Sequence, residues 1–261
     1  MIRIPNFDVN QLNTSQLSPV EMLVLQQKMN APTTYHYNSP ESLLFELSMR
    51  AELVSAARAL AASNATFATF ENARCNEMLW ILEGDGGFRL RPGVSPSDGI
   101  RDIYQNGHLY KFECATAMLI VMYMAALNAI GAPVFNVYFS GLYLRDWNYD
   151  YDLRLVSNNR VPAYPGDVLY FKNPDHAPET PEWQGENAVL LDNQLYFGHG
   201  LGIRTADSII ASLNGRRVPG SQVSAYLTDQ VVHPDFEYVR RLSLRDPQAV
   251  IARIGSHTWR G

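Results

Sequence analysis

An apolar run near the middle of the chain constrains the fold more than any other feature of the sequence. From about 114 to 130 the chain reads CATAMLIVMYMAALNAI, and Gly131 followed by Pro133 predicts that a helix ends there. Because this helix is apolar on almost every face, it has to be buried inside a core. The run is short for a membrane span and is interrupted by Thr116 and Asn128, so we predict no transmembrane segment.

The segments around this helix divide into helices on the N-terminal side and mostly strands on the C-terminal side. Hydrophobic periodicity, Ser or Pro at helix starts and Gly-rich turns predict their bounds. Predicted helices cover Pro19–Met29, Glu41–Ala62, Ser97–Asn106 and Asp207–Leu213. Predicted strands cover Met78–Leu82, Phe88–Leu90, Phe135–Phe139, Val168–Phe171, Asn187–Leu191 and Gln194–Phe197. This order predicts an α+β fold in a single domain, with antiparallel strands.

The charge balance and the cysteine count exclude several classes of protein. The 261 residues carry 21 Lys and Arg and 26 Asp and Glu, which gives a net charge of −5 without any basic block. Such a chain is a poor candidate for binding nucleic acid or an anionic membrane. Two cysteines, Cys75 and Cys114, are too few for a disulfide framework or a Cys-rich zinc site. The N-terminus has no charged segment followed by an apolar one, so we expect cytosolic synthesis without a secretory signal.

Cys114 and His199 are the first candidates for chemistry. Cys114 lies at the predicted N-terminus of the apolar helix, where unpaired N–H groups and the helix dipole favour a thiolate. The alternative is an ordinary packed cysteine, which is the commoner situation in an apolar helix. His199 lies between Gly198 and Gly200 at the end of a predicted strand, and the glycines allow backbone or substrate to approach closely. The alternative interpretation of His199 is an ordinary loop histidine without a catalytic role.

A carboxylate is predicted beside this histidine. The segment from 185 to 200 reads as a hairpin with Asp192 and Asn193 as a two-residue turn. In that register Glu186 and His199 are direct cross-strand neighbours on one face. The pair is a candidate for proton transfer, and the alternative is a structural ion pair. A shift of the register by one residue would separate them.

The motifs resemble those of papain-like cysteine enzymes and, taken together, one narrow family. A cysteine on a helix followed by a histidine on a sheet is the papain-like order, and PGDVLYF resembles the GDxxxF signature of the NlpC/P60 branch. The whole set resembles the Bacillus-type protein-glutamine γ-glutamyltransferases of endospore coats. The matching stretches are FATF (67–70), GIRDI (99–103), NGHLYKFECATA (106–117), LRDWNYD (144–150), GDVLYFKNP (166–174), WQGEN (183–187), YFGHGLGI (196–203) and SAYL (224–227).

This resemblance implies a fold, a reaction and a set of site residues. The fold is a single NlpC/P60-like catalytic domain at 40–241, in which a central buried helix packs on an antiparallel sheet. It has an N-terminal extension at 1–39 and a tail at 242–261, both of which match the family poorly. The implied catalytic residues are Cys114 as nucleophile, Glu186 as acidic partner, Glu113 as a substitute partner and His199 nearby. The implied walls of a substrate tunnel are Phe70, Trp147, Trp183 and Asn187.

The implied reaction is transglutamination. The thiolate attacks the γ-carboxamide of a protein glutamine, ammonia leaves, and a lysine ε-amine converts the thioester into an isopeptide crosslink. Backbone N–H groups at the start of the Cys114 helix are expected to stabilise the oxyanion. No cofactor is implied, and since no calcium loop or metal-ligand spacing is visible, we predict metal-independent activity. The implied partners are glutamine- and lysine-bearing proteins, above all spore coat proteins. The implied location is the mother-cell cytoplasm and then the spore coat.

Two other readings remain open. A thiol hydrolase of the NlpC/P60 type, acting on γ-glutamyl linkages of the cell wall, would share the cysteine, the histidine and the GDxxxF strand. The second alternative is a non-enzymatic coat protein with a degenerate site.

Overall fold

The computed structural model describes residues 1–245, 251–254 and 257–260. Residues 246–250, 255, 256 and 261 of the predicted tail lie outside the described residues. The α-helices of the described chain are α1 (Pro19–Asn30), α2 (Pro40–Ala62), α3 (Pro96–Gln105), α4 (Cys114–Ile130), α5 (Ala132–Tyr138), α6 (Ala206–Asn214) and α7 (Phe236–Ser243). The strands are β1 (Ile2–Arg3), β2 (Tyr35–His36), β3 (Thr66–Phe67), β4 (Trp80–Leu82), β5 (Phe88–Leu90), β6 (Lys111–Phe112), β7 (Tyr143–Leu144), β8 (Leu155–Asn159), β9 (Val168–Lys172), β10 (Gly185–Leu190), β11 (Leu195–Gly198), β12 (Gly202–Thr205), β13 (Tyr226–Pro234), β14 (Ile251–Ile254) and β15 (His257–Arg260).

Helix α4 is the centre of the core, as its apolar sequence predicts. Every residue from Ala115 to Tyr123 is buried, and the helix packs against α2 on one side and β10 on the other. A helix that is apolar all round is stable in water only when neighbours cover each face, and here α2, α5, α7 and the sheet do so. Among the residues that the structure describes, none of the helices has the length and hydropathy for a membrane span.

The main sheet has six strands in the order β12-β11-β10-β9-β13-β8, all antiparallel to their neighbours. Mixed helix and sheet in one body confirms the α+β prediction. Helix α6 and the far face of the sheet enclose a separate apolar cluster of Phe171, Ala188, Ile209, Leu213 and Ala225. The sheet therefore has one face towards α4 and another towards α6.

The predicted strand at 135–139 is wrong. Residues 132–138 form α5, which begins directly after Gly131. Gly131 has φ of +78°, which turns the chain into a second helix, and Pro133 lies in the first turn, where a missing N–H costs nothing. Strands β8 and β13 and helix α7 were not predicted.

The first 39 residues pack against α2 and against the loop before β9. Ser18 forms a capping box with Glu21 at the start of α1, and the helix agrees with the predicted one. Below it lies a buried network of charges. Lys28 pairs with Glu46 at 2.8 Å, and Arg50 pairs with Glu46 at 2.7 Å and with Asp167 at 2.8 Å. Because each buried charge has a partner, this network ties the N-terminal segment to the start of β9.

Candidate active site

A cavity of about 780 Å³ opens beside the start of α4. Its walls come from the loops around Phe67 and Trp147, from the turn before β10, and from strands β8, β9, β10 and β13. The lining residues that bear on the chemistry are Phe67, Phe70, Glu113, Cys114, Asp146, Trp147, Tyr149, Tyr170, Glu182 and Asn187. The charged side chains among the lining residues, Glu113, Asp146 and Glu182, are all acidic. The thiol thus lies in a partly aromatic, acidic recess.

Glu113 caps the helix that carries this thiol. Its carboxylate accepts hydrogen bonds from the backbone N–H groups of Ala115 at 2.7 Å and Thr116 at 2.5 Å. These N–H groups form part of the positive end of the helix, so a carboxylate bound there neutralises much of it. Of the N–H groups expected to stabilise an oxyanion at the start of this helix, those of Ala115 and Thr116 are therefore already engaged by Glu113.

The thiol is not activated by its position. Burial raises the pKa of Cys114 well above its ordinary value, and the charges of Glu186 and Glu113 raise it further. Hydrogen bonds from the backbone N–H and the side chain of Asn187 act in the opposite direction and lower the pKa. The predicted shift towards the thiolate is therefore wrong, since desolvation outweighs the helix end, whose positive charge Glu113 largely neutralises.

Glu186 is buried on β10, one residue before Asn187. Burial raises the pKa of Glu186 to about 8, although hydrogen bonds from the backbone N–H groups of Gly200 and His199 act to lower it. Its Oε1 has no hydrogen-bond partner among the described residues. The side chain lies against Gly198, where an added Cβ would be 2.6 Å from Oε1. This glutamate is thus largely protonated at neutral pH and close to releasing its proton.

The predicted pairing of Glu186 with His199 is wrong. The loop spans Asp192–Gln194, with two residues in the left-handed region, and Val189 pairs with Phe197. This register is one residue away from the two-residue turn, so His199 is not directly opposite Glu186. The imidazole instead stacks on Phe112, with 4.4 Å between ring centroids. Burial lowers the pKa of His199 to about 4, so the ring is neutral at pH 7.

The predicted tunnel residues divide into two groups. Phe70, Trp147 and Asn187 line the cavity. Trp183 is not among the lining residues; its ring lies under the guanidinium of Arg216 at 4.4 Å and packs on the α6 side of the sheet. Sequence reasoning missed Tyr170, which pairs with Asn187 across β9 and β10. Strand alternation from Asn187 would have found it, because directly paired residues share a face.

Comparisons with known proteins identify the family of the chain. A family model described as protein-glutamine gamma-glutamyltransferase matches residues 1–243, which includes the first 39 residues. A protein-glutamine gamma-glutamyltransferase of Halalkalibacterium halodurans is 43% identical over 231 residues, covering 88% of this chain and 81% of its own. One from Bacillus pumilus is 41% identical over 232 residues, covering 89% and 94%.

A solved structure points to the same family. The transglutaminase from Geobacillus stearothermophilus, without its C-terminal extension, superposes with a TM-score of 0.76 at 48% identity. The alignment covers 78% of this chain and 98% of that one. The chain belongs to the protein-glutamine gamma-glutamyltransferase family.

Proposed function

We propose that Cys114 is the nucleophile with which this transglutaminase crosslinks proteins, and that the cavity beside it is where both substrates meet. The observation that carries the proposal is the contact of this sulfur with Asn187 inside the recess, with two glutamates near it. Cys75 offers no comparable setting, because it is buried away from the cavity and burial raises its pKa to about 12.

The first half of the reaction is acylation of the thiol. The sulfur attacks the γ-carbonyl carbon of a glutamine, the thiol proton passes to a carboxylate and then to the leaving nitrogen, and ammonia departs from a thioester. We assign this role to the ionised fraction of Glu186, since a pKa of about 8 leaves part of the carboxyl deprotonated near neutral pH and able to accept and return a proton. Glu113 is the substitute, and its engagement at the helix start makes it the weaker candidate.

The second half is attack by a lysine amine. The cationic ε-ammonium is attracted to a cavity whose charged lining residues, Asp146, Glu182 and Glu113, are acidic. Loss of one proton to Glu186 then gives the neutral amine that attacks the thioester. Aromatic side chains such as Trp147 and Phe70 restrict water at the sulfur, which favours transfer over hydrolysis.

We place the catalytic domain at 40–241 and take it to be of the NlpC/P60-like, papain-like type. The support is the order of Cys114 on a helix and His199 after a strand, together with the GDxxxF motif on β9. We propose spore coat proteins as substrates and the spore coat as the site of action, on the strength of the endospore-coat resemblance and the Bacillus relatives.

Incorporation of a labelled primary amine into a glutamine-bearing protein tests this proposal. We expect incorporation by the wild type, none by Cys114→Ala, and wild-type rates for Cys75→Ala, the matched control. Ammonia release without incorporation would instead indicate a thiol hydrolase. Iodoacetamide gives a second readout, because a nucleophile exposed to the cavity reacts faster than buried Cys75. Equal rates would favour the non-enzymatic alternative.

A further inference from the structure

No cationic side chain lies beside the nucleophile among the residues that the structure describes. A papain-like thiolate depends on an imidazolium partner, but here the His199 ring is neutral at pH 7, buried, and stacked on Phe112. Within the described part of the chain, no Lys, Arg or His lines the cavity, and the charged lining residues are acidic. A negative charge on the sulfur must therefore be stabilised by uncharged donors.

The start of the helix cannot supply all of these donors. The N–H groups of Ala115 and Thr116 are bound to Glu113, and that of Ala117 is bound to the Glu113 carbonyl oxygen. In many thiol enzymes such groups stabilise the oxyanion that forms on the substrate. The N–H of Cys114 itself is not engaged by these three bonds, so a second donor that completes the pair is expected from another element facing the sulfur.

Asn187 faces the sulfur from the opposite wall. It lies on β10, directly across from Tyr170 of β9, and its side chain lines the cavity. Its Nδ2 donates to the Cys114 Sγ at 3.5 Å, and its backbone N–H is also directed at the sulfur. The neighbouring Glu186 is paired with Phe171 of β9, and its carboxyl is close enough to the sulfur for its charge to raise the pKa of the thiol. Asn187 is thus the polar residue of β10 that contacts the nucleophile.

We propose that Asn187 is a catalytic residue that donates a hydrogen bond first to the Cys114 thiolate and then to the oxyanion of the tetrahedral intermediate. This rests on the proposed role of Cys114. In the tetrahedral intermediate the substrate carbon is bonded to both the sulfur and the oxyanion, so the oxyanion lies only two bonds from Sγ. A donor that reaches Sγ therefore also reaches that oxygen after a small rotation of the amide.

The electron and proton balance of the step is complete. The sulfur lone pair forms the C–S bond while the carbonyl π pair moves onto oxygen, where the Asn187 amide stabilises it. That pair then re-forms the carbonyl and expels the C–N bond pair. The departing nitrogen takes the proton that left the thiol through Glu186, which yields ammonia and a thioester. The same amide serves the second tetrahedral intermediate, which the lysine amine forms.

Asn187→Ala and the isosteric Asn187→Asp test this role, with Asn158→Ala on β8 as the matched control, since Asn158 is exposed and outside the cavity lining. Two readouts apply: the pH profile of Cys114 alkylation by iodoacetamide, and kcat with KM for labelled-amine incorporation. Hydrogen bonds to charged groups are worth about 1.5–3 kcal/mol, so we expect the alkylation midpoint to rise by about one to two pH units. Loss of an oxyanion donor lowers kcat by about 10²–10³-fold, with KM little changed.

Both variants are checked for folding by circular dichroism and thermal unfolding. If Asn187→Ala does not fold, Asn187→Asp, which keeps the shape and replaces the donor by an acceptor, carries the test. An unchanged alkylation midpoint together with wild-type kcat in a folded variant would overturn the proposal. That outcome differs from failure of the proposed function, in which Cys114→Ala itself would still incorporate amine.

Discussion

Replacing Glu186 with Gln should stabilise the protein at alkaline pH while it damages the site. Burial raises the pKa of this carboxyl from 4.5 to about 8. Between these values the unfolded chain has lost the proton and the folded chain keeps it, so the free energy of unfolding falls as the pH rises. Gln has the shape of the protonated acid but does not ionise, so this contribution to the pH dependence of the free energy of unfolding is absent from the variant.

The magnitude follows from the size of the pKa shift. Each pH unit between the unfolded and folded pKa values changes stability by about 1.4 kcal/mol. From pH 5 to pH 8 the wild type therefore loses about 4 kcal/mol through this one group, and Glu186→Gln loses none of it. At pH 5 the two proteins should differ little, and at pH 8 the variant should be the more stable by about 4 kcal/mol.

Guanidinium unfolding at pH 5, 6.5 and 8, followed by tryptophan fluorescence, measures this difference. The contributions of the other titrating groups cancel when the free energies of unfolding of the variant and the wild type are subtracted at each pH. Glu71→Gln, at an exposed glutamate, gives the baseline for the same chemical change. A stability difference that stays constant from pH 5 to pH 8 would refute the reasoning, because it would mean that Glu186 ionises alike in the folded and unfolded states.

Four further outcomes are expected. Glu186→Gln should reduce amine incorporation by about 10²-fold or more and His199→Ala by less, since the proposed mechanism has the carboxylate and not the neutral ring exchange the proton; the reverse order in steady-state rates would restore a Cys–His pair. Gly198→Ala should destabilise the protein by about 1–3 kcal/mol, because its Cβ would be 2.6 Å from Glu186 Oε1, whereas Gly200→Ala, with 3.5 Å to its nearest neighbour, should be near neutral in thermal unfolding. Asp146→Asn with Glu182→Gln should raise KM for a cationic amine by about fivefold but not for neutral hydroxylamine, and an equal change for both nucleophiles would exclude the electrostatic explanation. EDTA should leave the rate unchanged, since every proposed step uses side chains of the chain itself; a loss that calcium restores would contradict this.

The parts of the fold that follow from local sequence were predictable. The bounds of α4 agree with the predicted ones because an unbroken apolar run has one stable solution, and the capped start of α1 is equally local. Helix α5 was not predictable from its β-branched and aromatic residues, because packing of Phe135 on Tyr123 and Phe139 outweighs their strand preference.

The site was predictable in composition but not in geometry. The motifs placed Cys114, Glu113 and Asn187 in one region, and the structure brings them to one cavity. The register of β10 and β11 depends on whether the loop has two or three residues, which Asp192 and Asn193 do not decide. The electrostatics depend on burial and on the Glu113 cap, and both are properties of the assembled fold.

The protonated state of the Cys114 thiol also affects how fast the resting enzyme is oxidised. Peroxide attacks the thiolate, and susceptibility to sulfenic, sulfinic and sulfonic acid formation follows thiolate character and exposure. With burial and two glutamate charges holding the sulfur protonated, the resting enzyme presents oxidants with a slow target. Cys75, whose pKa burial raises to about 12, is buried away from the cavity and is a still slower target. Under the proposed mechanism, the sulfur is therefore most open to oxidation during turnover, when it loses its proton.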